Sequence, residues 1–503
     1  MPPREDGETD APEGLRDLLR VPGLGPSRIR AIHETLHLET LRELEEAAMD
    51  GRLAQLPGFG ARSAGRIRMA LMELRATGTP VLWAHAAAEA AAVVAAWERL
   101  PHVVDVACAG AIRRGEEVVR ELELVVAVSS RTPDLLRALA QAVAATRVEP
   151  LGEGGRLQLS SGVSLTVHLV LPDAFALALW KATGSAAHVQ QLTRHAAARG
   201  WRLEAHHLMD DRGVRIPVPD EPSFYQRLGV PYLPPELRLD AGDTTPAQAD
   251  ASTLVTAGDL QGALHCHSVD SDGSETLAVL AEAAQHAGLR YLGISDHSQS
   301  STYAGGLTRD AIRVQHARID ELNAEYAHRG LDFCLLKGIE ADILPCGRLD
   351  YDDPLLDAFD FVIGSIHTRF GMNERQMTDR VLRALDDPHL TILGHPTGRL
   401  LLTREPYAID LTEVIGKAAA VGVAIELNAD PHRLDLDWRG CRLARELGAQ
   451  VSIGPDAHAP AGFANLRHGV TQARRGWLAP AHVLNTRAAD GVRAFARRRR
   501  AFG

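Results

Sequence analysis

The chain has 503 residues, of which 45% are apolar, and a net charge of −11. This length predicts two or three domains, and the acidic balance argues against a uniformly basic nucleic-acid binder while leaving room for local basic patches. The apolar runs are too short to cross a bilayer and no signal peptide is recognisable, so we expect a cytoplasmic protein without membrane contact. Five scattered cysteines without a Cys-x-x-Cys pair argue against a disulfide framework or a thiolate zinc site.

Two glycine turns follow a polar start, residues 1–14, that we expect to be disordered. Residues 19–30 and 56–66 each contain a Pro-Gly-x-Gly turn followed by arginines. Backbone N–H groups at such turns can hold phosphates. One turn would be explained by an ordinary helical hairpin, but two favour helix-hairpin-helix motifs that bind the DNA backbone without reading sequence. The predicted DNA contacts are Gly23, Gly25, Arg28, Gly58, Gly60, Arg62 and Arg66.

The next segments predict a mixed sheet. An alanine-rich helix at 85–99 precedes a strand, a turn and a basic pair at 103–115. Residues 117–128 read as a strand that carries Glu121 and Glu123 on one face, because alternate residues of a strand share a face. A second alternating strand follows at 163–170.

The segment Gly110-Ala-Ile-Arg-Arg-Gly, followed by Glu121-x-Glu123, resembles the nucleotidyltransferase palm of the bacterial family X DNA polymerases. Thr183-Gly-Ser with His188, and residues 230–238, extend the resemblance, which runs from about residue 18 to the C-terminus. It implies a multidomain α/β protein with helix-hairpin-helix fingers at 1–80, a palm at 81–175, a thumb at 176–240, a linker at 241–258 and a metal-dependent phosphoesterase domain at 259–503.

The resemblance also implies a polymerase site that uses Mg²⁺ or Mn²⁺ and a deoxynucleoside triphosphate. Its catalytic residues would be Glu121, Glu123, Arg113 and Arg114. Its nucleotide-binding residues would be Gly110, Ala111, Arg114, Thr183, Gly184 and Ser185.

Several positions depart from the family pattern of an Asp-x-Asp pair plus a third aspartate. Glu121 and Glu123 are one methylene longer than aspartate, which displaces a carboxylate oxygen by about 1 Å, and metal-assisted transfer is sensitive to such a displacement. Thr166 stands at the third position without a charge, Ala111 replaces a glycine or small hydroxyl, and Lys181-Ala replaces an aromatic pair. We therefore expect weak or lost polymerase activity, with an active Mn²⁺-dependent gap-filling polymerase as the alternative. The family's further N-terminal domain is not expected here.

From residue 259 one pattern recurs seven times: a short apolar run reaches a polar, ligand-capable residue and a helical segment follows. The seven runs extend to residues 267, 297, 340, 367, 395, 428 and 458. Such runs are typical of buried parallel strands, and strand–helix alternation predicts a distorted (β/α)7 barrel. In barrels of this kind, the chemistry lies at the C-terminal ends of the strands.

The strand ends carry six histidines and three carboxylates. Any one of them could be a hydrogen-bonded core residue or a helix cap, but a buried set of this size needs a metal partner. Imidazole and carboxylate without thiolate suit Zn²⁺, Mn²⁺ or iron. The basic run at 497–500 is expected either to contact nucleic acid or to be a solvated end.

The spacing of these groups is also similar to that of the polymerase and histidinol phosphatase (PHP) domain, a trinuclear metal phosphoesterase. The resemblance implies up to three Mn²⁺ or Zn²⁺ ions and phosphate contacts from His432 and Arg433. The implied metal ligands are His265, His267, Asp272, His297, Glu340, His367, His395, Asp456 and His458.

The function implied is DNA repair, by 3′→5′ exonuclease hydrolysis of a phosphodiester, in a monomer that binds DNA through its backbone. Besides the active polymerase, two alternatives stay open. The first is a non-catalytic DNA-binding scaffold. The second is a small-molecule phosphatase, against which the N-terminal hairpins argue.

Overall fold

The computed structural model describes residues 24, 26–36, 38, 43–44, 47–48, 51–56, 59–60, 63–69, 80–132, 134–239 and 250–500. The chain divides into two compact units, residues 1–184 with 189–224, and residues 185–188 with 225–503. The predicted disorder at 1–14, residues 241–249 of the predicted linker, and Gly23, Gly25, Gly58 and Arg62 lie outside the described residues.

The N-terminal region contains helix α1 (Pro26–Leu36) and a 3-10 turn at Leu53–Gln55. Its apolar side chains form a small core of their own, in which Ile29, Ile32 and Phe59 are almost fully buried. The Gly60 carbonyl accepts hydrogen bonds from the backbone N–H groups of Ser63 and Ala64, and the helical turns that follow begin there.

A five-stranded sheet in the order β2-β4-β7-β6-β5 forms the predicted palm, and only β4 and β7 are parallel. A separate pair joins β1 to β3. Helix α2 packs on the sheet, and the Trp97 indole N–H donates to the Leu139 carbonyl at 2.9 Å. The strands are β1 (Val81–Leu82), β2 (Val103–Ala109), β3 (Val118–Val119), β4 (Glu121–Val128), β5 (Arg147–Leu151), β6 (Gly154–Gln158) and β7 (Ser164–Val170). The helices are α2 (Trp83–Trp97), α3 (Gly110–Arg113) and α4 (Leu135–Ala142).

The following segment is mostly helical, with a small antiparallel sheet in the order β10-β9-β8. Arg238 is fully buried there, where its Nε donates to the Leu233 carbonyl and its guanidinium lies over the rings of Tyr225 and Tyr232. The elements are α5 (Phe175–Thr183), α6 (Ala186–Ala197), β8 (Arg202–Glu204), β9 (His207–Met209), β10 (Arg215–Ile216) and α7 (Glu221–Arg227).

The C-terminal domain confirms the predicted strand–helix alternation: seven parallel strands pair in chain order from β11 to β17. The strands are β11 (Gly262–Ala263), β12 (Tyr291–Ile294), β13 (Cys334–Asp342), β14 (Phe361–Ser365), β15 (Ile392–Leu393), β16 (Ala424–Asn428) and β17 (Val451–Gly454). The helices are α8 (Leu277–His286), α9 (Arg309–His328), α10 (Asp353–Leu356), α11 (Glu374–Leu385), α12 (Leu411–Val421), α13 (Trp438–Leu447), α14 (Leu466–Arg475) and α15 (Ala489–Arg500).

The barrel nearly closes beyond the ends of its first and last strands. Cys266 and Ala457 form a parallel bridge, and the His267 N–H donates to the Ala457 carbonyl at 2.9 Å. The sequence predicted a strand through both His265 and His267, but β11 ends at Ala263. The closing bridge therefore positions the two imidazoles, with ring centroids 5.2 Å apart.

Local sequence signals account for where the barrel helices begin and end. Three of the helices begin after a residue whose side chain accepts a hydrogen bond from a backbone N–H of the first turn, a donor that the helix itself cannot pair. These residues are Thr308, Asp410 and Asp437. Gly422 and Gly448 end helices in the left-handed region, where a glycine has no steric penalty.

The basic C-terminal run is partly structural rather than a solvated tail. The Arg499 guanidinium donates to the carbonyls of Leu385, Asp387, Leu390 and Val421, which cluster near the C-terminal ends of α11 and α12. A cation at carbonyls left unpaired at helix ends is favourable, so Arg499 fastens α15 to the barrel. Among the described helices, none has the length and apolarity needed to cross a membrane.

Candidate metal centre and polymerase site

The strand ends of the barrel bring all nine predicted ligands into one cluster. Three overlapping groups have ligand-capable atoms within 4.8 Å of one another. The groups are His267, Asp272, His297 and His458; His265, His267 and Asp456; and His297, Glu340 and His367. His395 joins through its Nε2, which lies 3.0 Å from Glu340 Oε1.

Burial differs across the cluster, so the expectation of nine buried groups is wrong. His265, His267 and Glu340 are at most 1% exposed. On one side, the side chains of Asp272 and His458 are 34% and 41% exposed. The cluster is therefore closed to solvent around His265, His267 and Glu340 and accessible at Asp272 and His458, where a substrate can approach.

Several buried polar atoms of the cluster make no hydrogen bond within the protein. They include His265 Nε2 and both ring nitrogens of His267. Buried polar atoms are normally satisfied, because an unpaired one costs free energy. Converging nitrogen and carboxylate ligands with spare lone pairs fit divalent metal ions. The three groups overlap, because His267 and His297 each belong to two of them.

The charges within the cluster are strongly coupled. Burial opposes ionisation, but His265, His367 and His297 outweigh it and hold the pKa of Glu340 well below its usual range. Burial also lowers the pKa of His267, to about 4, helped by the neighbouring imidazoles of His297 and His458. His267 is thus neutral at physiological pH, which is the form that binds a metal.

Two carboxylates that sequence reasoning missed orient the ligands. Glu426 accepts from His265 Nδ1 at 2.6 Å and from the His395 backbone N–H at 2.7 Å. Asp342 lies 2.6 Å from His367 Nδ1. Each leaves the Nε2 of its histidine directed at the cluster, and carboxylates in this position fix the imidazole tautomer. Their signal was an acidic residue inside a buried strand, which only a metal centre or an ion pair explains.

Asp296 is a third missed carboxylate, and it holds the loop after His267. It accepts from the Ser268 N–H and hydroxyl, from Ser271 and from Gln315. Burial raises the pKa of Asp296 in spite of these donors. Gly454 is also required beside the centre, because a Cβ there would collide with Glu426 Oε1.

We expect Glu426→Gln to weaken Mn²⁺ binding by about 10- to 100-fold, because an amide holds the His265 tautomer less firmly. Calorimetric titration of the metal measures the effect. Glu325→Gln, on the exposed face of α9, is the matched control and should bind normally. Unchanged affinity in Glu426→Gln would remove this residue from the positioning role.

Metal uptake should release protons. Burial opposes the charge of His297 and His367. Glu340, together with Asp272 at His297 and Asp342 at His367, outweighs it, so that the pKa of His297 rises to about 10 and that of His367 to about 9. Both imidazoles are therefore protonated at neutral pH before an ion binds, and the ion must displace those protons. We expect affinity for Mn²⁺ to increase as the pH rises from neutral towards 9. Titrations in two buffers of different ionisation enthalpy measure the release; identical heats would contradict it.

Of the two predicted phosphate contacts, Arg433 lies beside the cluster. Arg433 is mostly buried, with its Nε 3.5 Å from Asp456 Oδ2. His432 is more exposed, and its hydrogen bond with Asp430 raises its pKa. Arg433 thus adds a positive charge next to a metal ligand.

In the palm, both predicted carboxylates already have partners. Glu121 accepts from Arg156 Nε at 3.2 Å and from the Thr166 hydroxyl. Glu123 Oε2 lies 3.5 Å from His168 Nε2, and its other oxygen lies against Gly110, where a Cβ would collide with it. The two glutamates are on neighbouring positions of one strand face, as predicted, and the carboxylates of both already contact side chains of the protein.

The palm arginines are also engaged within the protein. Arg113 forms a two-pronged ion pair with buried Glu221, at 2.6 and 2.9 Å, and donates to the Thr183 hydroxyl. Arg114 donates to the Thr183 carbonyl and pairs with Glu116. These contacts gather Arg113, Arg114 and Thr183 around α3, next to Gly110 and Ala111.

The remaining predicted residues are spread along the chain. Helix α5 ends at Gly184, whose N–H donates to the Trp180 carbonyl. The Ser185 hydroxyl donates to the Leu239 carbonyl. His188 is buried against the Tyr225 hydroxyl, 2.8 Å away, which indicates a structural role. In the fingers, Arg28, Gly60 and Arg66 are exposed, as a phosphate-binding surface requires.

Known proteins resemble the chain along nearly its whole length. Residues 15–73 match the SAM-like helix-hairpin-helix tandem family, and residues 178–239 match the DNA polymerase beta thumb family. A relative from Bacillus subtilis (strain 168), DNA polymerase/3'-5' exonuclease PolX, is 34% identical over 504 residues, which cover 98% of this chain and 86% of the relative.

Two further likenesses are partial. A probable phosphatase from Syntrophotalea carbinolica is 28% identical over 232 residues, 44% of this chain and 90% of the relative. A crystal structure of Leishmania infantum polymerase beta, a ternary P/T complex, has a TM-score of 0.30 and 14% identity, over 45% of this chain and 98% of that one. The near-full-length likeness to PolX, together with the thumb, the hairpins and the phosphatase-like barrel, places the chain in the bacterial family X DNA polymerases that carry a C-terminal PHP domain.

Proposed function

We propose that this protein trims DNA from the 3′ end by metal-dependent hydrolysis in its C-terminal barrel, and that its palm has weak or lost polymerase activity. The observation that carries the first part is the convergence of nine ligand-capable side chains, with buried ring nitrogens on His265 and His267 that make no hydrogen bond within the protein. We propose these nine as the metal ligands and Mn²⁺ or Zn²⁺ as the metal. The relative PolX is named as both a DNA polymerase and a 3'-5' exonuclease, which supports DNA as the substrate.

Different residues of the barrel would have different roles in hydrolysis. Divalent ions held there would neutralise phosphate charge and lower the pKa of an attacking water. The Glu340 carboxylate lies within 3.8 Å of five of the histidines, namely His265, His267, His297, His367 and His395. Glu426 and Asp342 hold His265 and His367 in the ligating tautomer. Arg433 is placed to bind a phosphate oxygen. No protein nucleophile is required, so the arrangement serves direct hydrolysis of the phosphodiester.

The palm contacts support the second part of the proposal. Glu121 forms an ion pair with Arg156 at 3.2 Å, and Glu123 has His168 beside it. Binding two divalent ions would first require these partners to move away. Thr166 supplies a hydroxyl donor where the family has a third carboxylate. On this account the fingers and palm bind DNA through its backbone, with Arg28, Gly60 and Arg66 among the contacts, and bring it to the barrel.

The test is digestion of DNA with Mn²⁺, using parallel samples labelled at the 3′ or the 5′ end. We expect the 3′ label to be released as a mononucleotide at once, while the 5′-labelled strand shortens one residue at a time. Release of long labelled fragments would indicate an endonuclease instead. No digestion of any DNA would contradict the proposal and favour the scaffold alternative.

A small-molecule phosphatase is a second candidate, because the partial relative that matches over 44% of the chain is named a probable phosphatase. The same centre could remove a terminal phosphate as well as a nucleotide. A chromogenic phosphomonoester separates the two candidates. We expect its hydrolysis to be slower than nucleotide release from DNA, and the reverse order would favour the phosphatase.

A further inference from the structure

Tyr303 is a large aromatic side chain left in solvent at the edge of the metal cluster. Its side chain is 70% exposed, the second most exposed among the described large hydrophobic residues. Its ring centroid nevertheless lies only 6.2 Å from the ring of His297 and 6.3 Å from that of His367. Exposed aromatics give up the free energy of burial, and beside a catalytic cavity they are candidates for substrate contact.

The loop that carries Tyr303 is firmly held, so its exposure is not the result of a loose segment. The Leu307 N–H donates to the His297 carbonyl at 2.8 Å, and Gly306 lies so close to Ser298 that a Cβ would collide with the Ser298 carbonyl. The Ser301 hydroxyl donates to Asp342 at 3.0 Å, and Asp342 is the carboxylate that orients His367. The loop and a metal ligand thus share one anchor.

Tyr303 belongs to the open side of the cluster. Its loop lies against the loop of Asp272, since a Cβ on Gly305 would be in contact with the Ser271 carbonyl. The Asp272 carboxylate is 3.5 Å from His297 Nε2 and is one of the two exposed ligands. The ring therefore lies next to the exposed side of the cluster, where a DNA end would enter. It is also beside His297 and His367, two of the residues that would hold the ions.

We propose that the ring of Tyr303 is a stacking platform for the base of the terminal nucleotide while its phosphodiester is held at the cluster. This inference rests on the proposed exonuclease function and names what that site recognises. Every base has a π-face, so stacking holds a nucleotide without selecting a sequence, as an exonuclease requires. If Tyr303 instead bound a phosphate through its hydroxyl, Tyr303→Phe would lose activity as Tyr303→Ala does, whereas a stacking role is kept by phenylalanine.

The experiment compares two DNA substrates that differ only at the 3′-terminal nucleotide, which is either normal or abasic. On the normal end, we expect Tyr303→Ala to lower kcat/KM by about 10- to 100-fold, chiefly through KM, because one stacked base is lost. Tyr303→Phe should stay close to the unmodified protein. On the abasic end, all three proteins should be equally slow. Val314→Ala, an exposed change on α9, is the control and should match the unmodified protein on both ends.

A binding measurement gives a readout that does not depend on cleavage. DNA with 2-aminopurine at the 3′ end is mixed with His267→Ala protein, with and without the added Tyr303→Ala change. Stacking predicts fluorescence quenching with Tyr303 present and little quenching without it. Equal quenching in both proteins would overturn the proposal.

The cleavage outcomes separate the inference from the function on which it rests. Equal losses for Tyr303→Ala on normal and abasic ends would overturn the stacking role while leaving the exonuclease intact, as would a Tyr303→Phe variant as slow as Tyr303→Ala. If the unmodified protein releases nothing from either DNA, the proposed function fails and this inference fails with it.

Discussion

His267→Ala should reduce nucleotide release from the 3′ end of DNA by at least about 1000-fold, because loss of a shared metal ligand removes most of the charge stabilisation that the ions provide. His267 belongs to two of the three ligand groups, and neither of its ring nitrogens has a hydrogen bond within the protein. Its lowered pKa keeps it neutral and ready to bind. Rates of label release with Mn²⁺, at matched protein concentrations, measure the effect.

The control for that variant is His328→Ala, an exposed histidine at the end of α9. It should digest DNA at the normal rate. Thermal unfolding of both variants without metal checks that His267→Ala is folded. Undiminished digestion by a folded His267→Ala protein would show that the nuclease centre lies elsewhere.

The second large effect is expected in the palm. Changing Glu121→Asp, Glu123→Asp and Thr166→Asp together should raise primer extension by about 100-fold, because it shortens two misplaced carboxylates by one methylene and supplies the third. In the starting protein, Glu123→Ala should change extension by less than about threefold, since the Glu123 carboxylate lies against Gly110 and beside His168. Extension of a gapped primer with Mn²⁺, in a His267→Ala background that preserves the primer, measures both.

A second glutamate, away from the palm carboxylates, provides the control. Glu149→Asp, on the exposed edge strand β5, is the control for glutamate shortening and should leave extension unchanged. Rapid extension by the starting protein that disappears in Glu123→Ala would overturn the weak-polymerase proposal. It would favour the gap-filling alternative, with Glu121 and Glu123 as working ligands.

Much of the barrel could be predicted from the sequence because its information is local. Each buried parallel strand is a short apolar run, and each run leads to a residue such as His297 or Glu340 that is out of place in a core. The order of pairing then follows from strand–helix alternation. This is why the fold and the composition of the cluster could both be inferred before any contact was known.

Contacts between distant parts of the chain could not be predicted in the same way. Glu426 meets His265 across 161 positions, and Arg113 meets Glu221 across 108. Periodicity within a segment carries no information about such partners. The same limit applies to Arg499, for which the sequence predicts either nucleic-acid contact or a solvated end. The carbonyls that it binds become neighbours only after the barrel has formed.

We propose that the barrel hydrolyses DNA and that the palm has weak or lost polymerase activity. The most direct measurement is the change in primer length on gapped DNA with Mn²⁺ and all four deoxynucleoside triphosphates present. We predict that the primer becomes shorter, and that in His267→Ala it stays almost unchanged. Net template-directed lengthening of the primer by the unmodified protein would contradict this proposal.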